Sequence, residues 1–84
     1  MRDMGEKNKI KQQLIKETQK WLSKIEKEMP KVKENAKNKS NIKNIKAYIS
    51  DCKYFLKNEK NILAFEAIIW AWAWLQILRE LKLI

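Results

Sequence analysis

Asn61-Ile62-Leu63-Ala64-Phe65-Glu66-Ala67-Ile68-Ile69-Trp70-Ala71-Trp72-Ala73-Trp74-Leu75-Gln76-Ile77-Leu78-Arg79-Glu80-Leu81-Lys82-Leu83 decides how the chain folds. The stretch has no Gly and no Pro, and its only charged groups are Glu66, Arg79, Glu80 and Lys82. No alternation with period two runs through it, so the spacing predicts a helix over 61–83. Wound at ~100° per residue, its apolar side chains form two stripes. One holds Leu63, Ala67, Trp70, Ala71, Trp74, Leu75, Leu78 and Leu81; the other, roughly 160° away, holds Ile62, Phe65, Ile69 and Trp72. A surface helix normally has one apolar face, and a helix apolar nearly all round is covered on several sides. The alanines of the first stripe suit close approach by two neighbouring helices. The second stripe is then expected to be a contact surface for a second copy of the chain or another protein. The opposing reading seals Ile62, Phe65, Ile69 and Trp72 inside a monomeric core.

Working outward, residues 41–58 repeat the pattern more simply. Ile42, Ile45, Ile49, Cys52 and Leu56 follow one another at alternating steps of three and four, with Tyr48 and Phe55 widening the seam. Asn58-Glu59-Lys60-Asn61 is the turn between these two helices, with Asn58 able to take the left-handed cap conformation. Ser40 reads as the N-cap. Residues 30–40, rich in lysine and asparagine, read as a connection, with Val32 and Ala36 out of phase with the seam that follows. Before them, Ile10, Leu14, Trp21, Leu22, Ile25 and Met29 define an amphipathic helix over about 6–29, closed by Pro30. The opposite face of that helix carries Lys9, Lys16, Lys20, Lys24, Lys27 and Lys31, a stripe about 33 Å long at 1.5 Å per residue.

Composition limits what such a chain can do. Eighty-four residues allow one small domain. One cysteine excludes an internal disulfide, and with no histidine there is neither a zinc site nor His-based acid–base chemistry to expect. A single glycine leaves no phosphate-cradling loop. The carboxylates Asp51, Glu59, Glu66 and Glu80 are scattered over faces and turns, so no catalytic residue, metal or other cofactor is expected, nor a small-molecule substrate. Cys52, in the seam, reads as a small buried hydrophobe. Nineteen Lys and Arg against ten Asp and Glu give +9, which attracts nucleic acid, anionic surfaces and acidic proteins alike. Electrostatic, non-sequence-specific binding of RNA or DNA along the lysine stripe is therefore the alternative to a protein partner. The Trp70, Trp72, Trp74 alternation is no platform for stacked bases, because neighbouring members point to different sides of the helix. The longest uninterrupted apolar run, Ala67 to Leu75, has nine residues, well short of the ~20 a membrane span requires. No apolar leader follows Met1, so a cytoplasmic chain is the expectation.

Tyr48-Ile49-Ser50-Asp51-Cys52-Lys53-Tyr54-Phe55-Leu56, followed by Ala64-Phe65-Glu66-Ala67-Ile68-Ile69-Trp70-Ala71, is similar to a small archaeal family, domain of unknown function 357. Its pattern is Tyr-x-x-Asp-Ala-x-x-Phe, a Gly-Asp turn, and an alanine-rich helix containing Tyr-Ala. The resemblance covers about residues 42–80. Here Glu59-Lys60 stands at the Gly-Asp turn, Trp70 replaces the tyrosine, and Gln76 falls where relatives carry an acid. The resemblance implies an archaeal, three-helix, up-and-down bundle and no particular activity. Periodicity independently predicts the same all-α architecture, a single domain over 1–84 with an antiparallel bundle of helices at 6–29, 41–58 and 61–83.

Overall fold

The seam at residues 42–56 folds as expected: Ile42, Ile45, Ile49 and Cys52 are buried and Leu56 packs beside them. The computed structural model describes residues 2–84, with side chains from residue 8 onward. Helix α1 spans Arg2–Glu28, α2 spans Lys39–Lys57 and α3 spans Asn61–Glu80, with a single 3-10 turn at Met29–Lys31. All described regular structure is helical.

Chain direction follows from a few contacts. Along α1 and α3, Ile10 and Leu14 stand beside Ile62 and Leu63, Trp21 beside Trp72, and Glu28 beside Arg79. These pairs keep a nearly constant step, 51 positions for Trp21 and Trp72, so α1 and α3 run parallel and in register. Lys53 of α2 meets Glu26 of α1 at 2.7 Å, and α2 runs antiparallel to both. The result is an up-down-up three-helix bundle. At this register α1 starts roughly eight residues, about 12 Å, before α3 does. That overhang draws the molecule out to 55 × 22 × 17 Å.

α3 is the helix on which both others pack, whereas α1 and α2 scarcely touch. It supplies half of the buried apolar core: Ala64, Ala67, Ile68, Ala71, Leu75 and Leu78, against Leu22 and Ile25 of α1 and the four residues of α2. Ile25, Ile45, Ile68, Leu75 and Leu78 are essentially sealed. Each contributes roughly 1.5–3 kcal/mol by burial. Three alanines in the buried row let the neighbouring backbones come close. This row corrects the expected one. Leu63, Trp70 and Leu81, placed by wheel counting on the inner stripe, are exposed, and Ile68, absent from both stripes, is at the centre. The inner face is centred on the small residues, and bulky neighbours on its edge are pushed outward.

Several boundaries also differ from expectation. α1 begins at Arg2, ahead of residue 6, and its α-helical hydrogen bonding stops at Glu28. Pro30 cannot donate to Glu26, and the chain tightens into the 3-10 turn before leaving it at Val32, which is extended and half-buried against the core. α2 begins at Lys39, so the connection is shorter than 30–40, and the N-cap is Asn38 instead of Ser40. The left-handed residue after α2 is Glu59, with φ 58°, while Asn58 stays at φ −98°. The Lys60 amide donates to the Phe55 carbonyl at 2.8 Å and the Glu59 amide to Leu56, a pairing that requires positive φ one residue beyond the cap. α3 ends the same way: Lys82 has φ 56°, and the Leu83 amide donates to Leu78 at 2.9 Å. Both positions hold long side chains where glycine would be unstrained.

Two buried polar residues complete the interior. The Thr18 hydroxyl donates to the Leu14 carbonyl at 2.8 Å, which satisfies it within α1. Asn38, with no exposed surface, accepts from the Asn35 amide at 2.8 Å and donates to the carbonyls of Lys33 at 3.0 Å and Leu83 at 2.7 Å. It ties the connection, the start of α2 and the chain beyond α3 together at one end of the bundle.

Candidate functional site

The core row of α3 leaves the opposite side of that helix unpartnered. Ile62 (68% exposed), Leu63, Ile69 (42%), Trp70 (56%), Ile77 and Leu81 all face outward, with Ala73 half-exposed between them. Glu66, Gln76 and Glu80 are the polar members of the same side. Together the six large side chains expose roughly 600 Å² of apolar surface, taking about 190 Å² for a bare Ile or Leu and about 250 Å² for Trp. That is the upper end of what a monomer leaves in one patch, about 300–600 Å².

The four residues expected to form the contact surface divide between two environments. Ile62 and Ile69 lie on the outward face. Phe65 and Trp72 are half-buried, and Trp72 packs against the core. The Trp72 ring meets Trp21 edge to face at 5.7 Å, and its indole N–H donates to the Trp21 carbonyl at 3.0 Å. Helix α1 therefore takes up one margin of the second stripe, and Trp70, Ile77, Leu63 and Leu81 take its place on the open face. The alanines at 64, 67 and 71 were the available signal, since small residues mark the side where a backbone approaches.

The face continues at one end into a groove of about 490 Å³ between α1 and the start of α3, lined by Ile10, Leu14, Ile62 and Leu63 with Lys11 and Lys60 at its edge. Ile10, expected on the packed arc of α1, is 67% exposed here because it sits at the level where α3 begins. A second hollow of about 460 Å³ at the other end gathers Lys31, Lys33, Arg79 and Lys82 around Glu28. Glu28 bonds to both Arg79 (3.5 Å) and Lys31 (3.6 Å), so part of that positive charge is already neutralised.

Lys9, Lys16, Lys20, Lys24 and Lys27 are exposed along the outside of α1, and Lys31 is exposed in the 3-10 turn that follows. Three of them have partners within the chain: Lys24 and Lys20 lie over the Trp21 ring at 4.8 and 5.8 Å, and Lys31 pairs with Glu28. Asp51, Glu59, Glu66 and Glu80 are each exposed. Among the described residues no cluster of His, Cys, Asp or Glu is arranged to hold a metal ion. Burial, with Glu26 nearby, pushes the Cys52 thiol up from 9.0 to about 11, against a smaller opposing pull from Lys53. Protonated and fully covered, it has neither the charge nor the access of a nucleophile. By length and composition α3 would serve to cross a membrane, and in the fold a third of its most apolar window is buried.

A family model described as protein of unknown function (DUF357) matches residues 13–84. The crystal structure of protein AF1782 from Archaeoglobus fulgidus, assigned to that family, superposes with a TM-score of 0.80 at 40% sequence identity. The match covers 87% of this chain and 92% of that one. No curated protein matches the chain.

Proposed function

The chain belongs to the DUF357 family, for which no activity is described, and we propose that it works as a small cytoplasmic interaction module that docks a protein partner on the outward face of α3. The observation that carries this reading is the run Ile62, Leu63, Ile69, Trp70, Ile77 and Leu81, exposed on the helix that also forms the core. A folded chain of this mass is expected to expose roughly 5,300 Å². This one exposes 6642 Å², in keeping with its elongated 55 × 22 × 17 Å shape and its open apolar face. The groove beside the start of α3 adds an apolar shelf, Ile10 and Leu14 of α1, at one end of the face.

The test combines stability with retention. A variant carrying Ile69→Gln, Trp70→Gln and Ile77→Gln should stay folded and melt no more than about 6–12 °C below the parent, since exposed sites rarely shift stability by more than about 0.5 kcal/mol each. The same variant should lose the proteins that the parent chain retains from cell extract. A variant that unfolds would make the face structural, and one that retains the same proteins would place docking elsewhere.

The six exposed lysines of α1 and the 3-10 turn after it support a second reading, non-specific binding of RNA or DNA. Its mark would be affinity falling steeply with salt, and charge reversal at Lys16, Lys20 and Lys24 should then remove it. The pairing of Lys20, Lys24 and Lys31 within the chain favours a solvated face instead.

A further inference from the structure

The outward face of α3 has an order that a bare count of apolar residues misses. Outward from Ala73, Ile69 and Ile77 stand four positions away on either side, and Glu66 and Glu80 stand seven away. All five lie within an arc of about 80° on the side opposite the buried alanines. Along that arc the five positions read the same in both chain directions, and at its margins Trp70 mirrors onto Gln76. A palindromic helix face is self-complementary under a two-fold axis perpendicular to the helix, the symmetry of an isologous dimer.

We propose that the partner on this face is a second copy of the chain, its α3 packed antiparallel and crossing at Ala73. This rests on the reading of α3 as the docking surface and names its occupant. Ala73 is the one small residue among the outward positions, and at a crossing point it lets two helix axes come within the usual 8–10 Å. The axis then sets Ile69 of one copy opposite the partner's Ile77 and Trp70 opposite the partner's Gln76, and does so twice. The apolar area on offer, roughly 600 Å², approaches the ~800 Å² per partner of a standard interface. Charge does not block the approach despite the +9 total. Helix α3 carries no lysine, and Arg79, its only cation, is held by Glu28. The feature that limits affinity is Glu66, brought toward the partner's Glu80 on both sides of the axis. Those four carboxylates lie about 10 Å along the helix from the crossing point, where the two axes diverge, and their repulsion keeps the pair weak and reversible.

A single substitution separates this arrangement from any other. Glu66→Lys adds two positive charges to a chain already at +9, which on net charge alone weakens self-association. In the antiparallel pair it replaces two like-charge contacts with two opposite-charge ones and tightens the dimer about two- to thirtyfold. The experiment is sedimentation equilibrium on the full chain from micromolar to millimolar, with helicity checked by circular dichroism. The parent should show a monomer–dimer equilibrium, Glu66→Lys a tighter one, and Ile69→Glu a monomer of unchanged helicity. Ala73→Cys should form a disulfide-linked dimer on mild oxidation, since Cys52 is covered. A parent that stays monomeric throughout overturns the second copy, and so does a Glu66→Lys chain that associates no more tightly. A monomer that still retains another protein through α3 overturns this inference and leaves the docking face standing; one that retains nothing overturns both.

Discussion

Replacing Asn38 by alanine tests how the bundle is fastened. Its side chain makes three hydrogen bonds from a fully covered position, accepting from the Asn35 amide and donating to the carbonyls of Lys33 and Leu83. Alanine deletes all three and strands two carbonyls and one amide in partly covered surroundings. At about 0.5–1.5 kcal/mol for each bond, the loss comes to about 3 kcal/mol. A domain of this size has roughly 4–13 kcal/mol in all, so the variant should remain folded but fragile. Each kcal/mol moves the midpoint of a 60–100-residue domain by about 4–8 °C, which places the expected fall at about 12–24 °C. Asn38→Asp should be worse, because it turns an oxygen toward two carbonyl oxygens where an amide donated. Thermal unfolding followed by far-UV circular dichroism reads both, and amide exchange of the last turn of α3 reports whether that end loosens first. If Asn38→Ala lowers the midpoint by less than about 4 °C, the three bonds are not what holds this end together.

Glu59→Gly removes the cost of a left-handed side chain and should stabilise the chain by about 0.5–1 kcal/mol, seen as a rise of several degrees in the melting midpoint. An unchanged or lowered midpoint would mean the Glu59 side chain contributes more than its backbone costs. Trp72→Phe keeps the ring packing on Trp21 but removes the indole N–H that the Trp21 carbonyl accepts in addition to its helical partner. A loss of about 0.5–1.5 kcal/mol in urea unfolding is expected, and no loss would show that the indole bond adds nothing to the ring packing. The Cys52 thiol titrates at about 11 in the folded chain against 9.0 when free. Its raised value contributes stability that is fully present below pH 9 and lost as pH rises through 11. Cys52→Ala should therefore flatten the alkaline fall in stability relative to the parent, and native Cys52 should resist a thiol reagent at pH 8 until the chain unfolds.

The three-helix architecture was legible because two helices carry clean patterns. The steps of three and four from Ile42 to Leu56 admit only one inner face, and the structure uses it. α3 was legible as a helix but not in its orientation. With apolar residues on every side, hydropathy could not choose a face, and backbone approach at Ala64, Ala67 and Ala71 chose it. That choice turned Trp70 outward and gave Trp72 to α1, so only Ile62 and Ile69 of the anticipated patch ended on open surface. Asn38 was hidden among similar residues: Asn35, Asn41 and Asn44 lie close by in sequence, and only the arrival of Leu83 from the far end of the chain singles it out. Glu59 escaped notice because asparagine accepts left-handed geometry more readily, yet hydrogen bonding counted from Phe55 and Leu56 fixed the position one residue later. The overhang of α1 was equally invisible, since it depends on which turn of α1 lies beside the first turn of α3.

The Asn38 fastening and the groove beside Ile10 lie at opposite poles, which makes the molecule mechanically lopsided, like a clothes-peg. Anything that wedges between Ile10 and Leu63 gains leverage along α1. That load falls first on the Trp21–Trp72 contact and only afterwards on the ion pairs of Glu26 and Glu28 nearer the hinge.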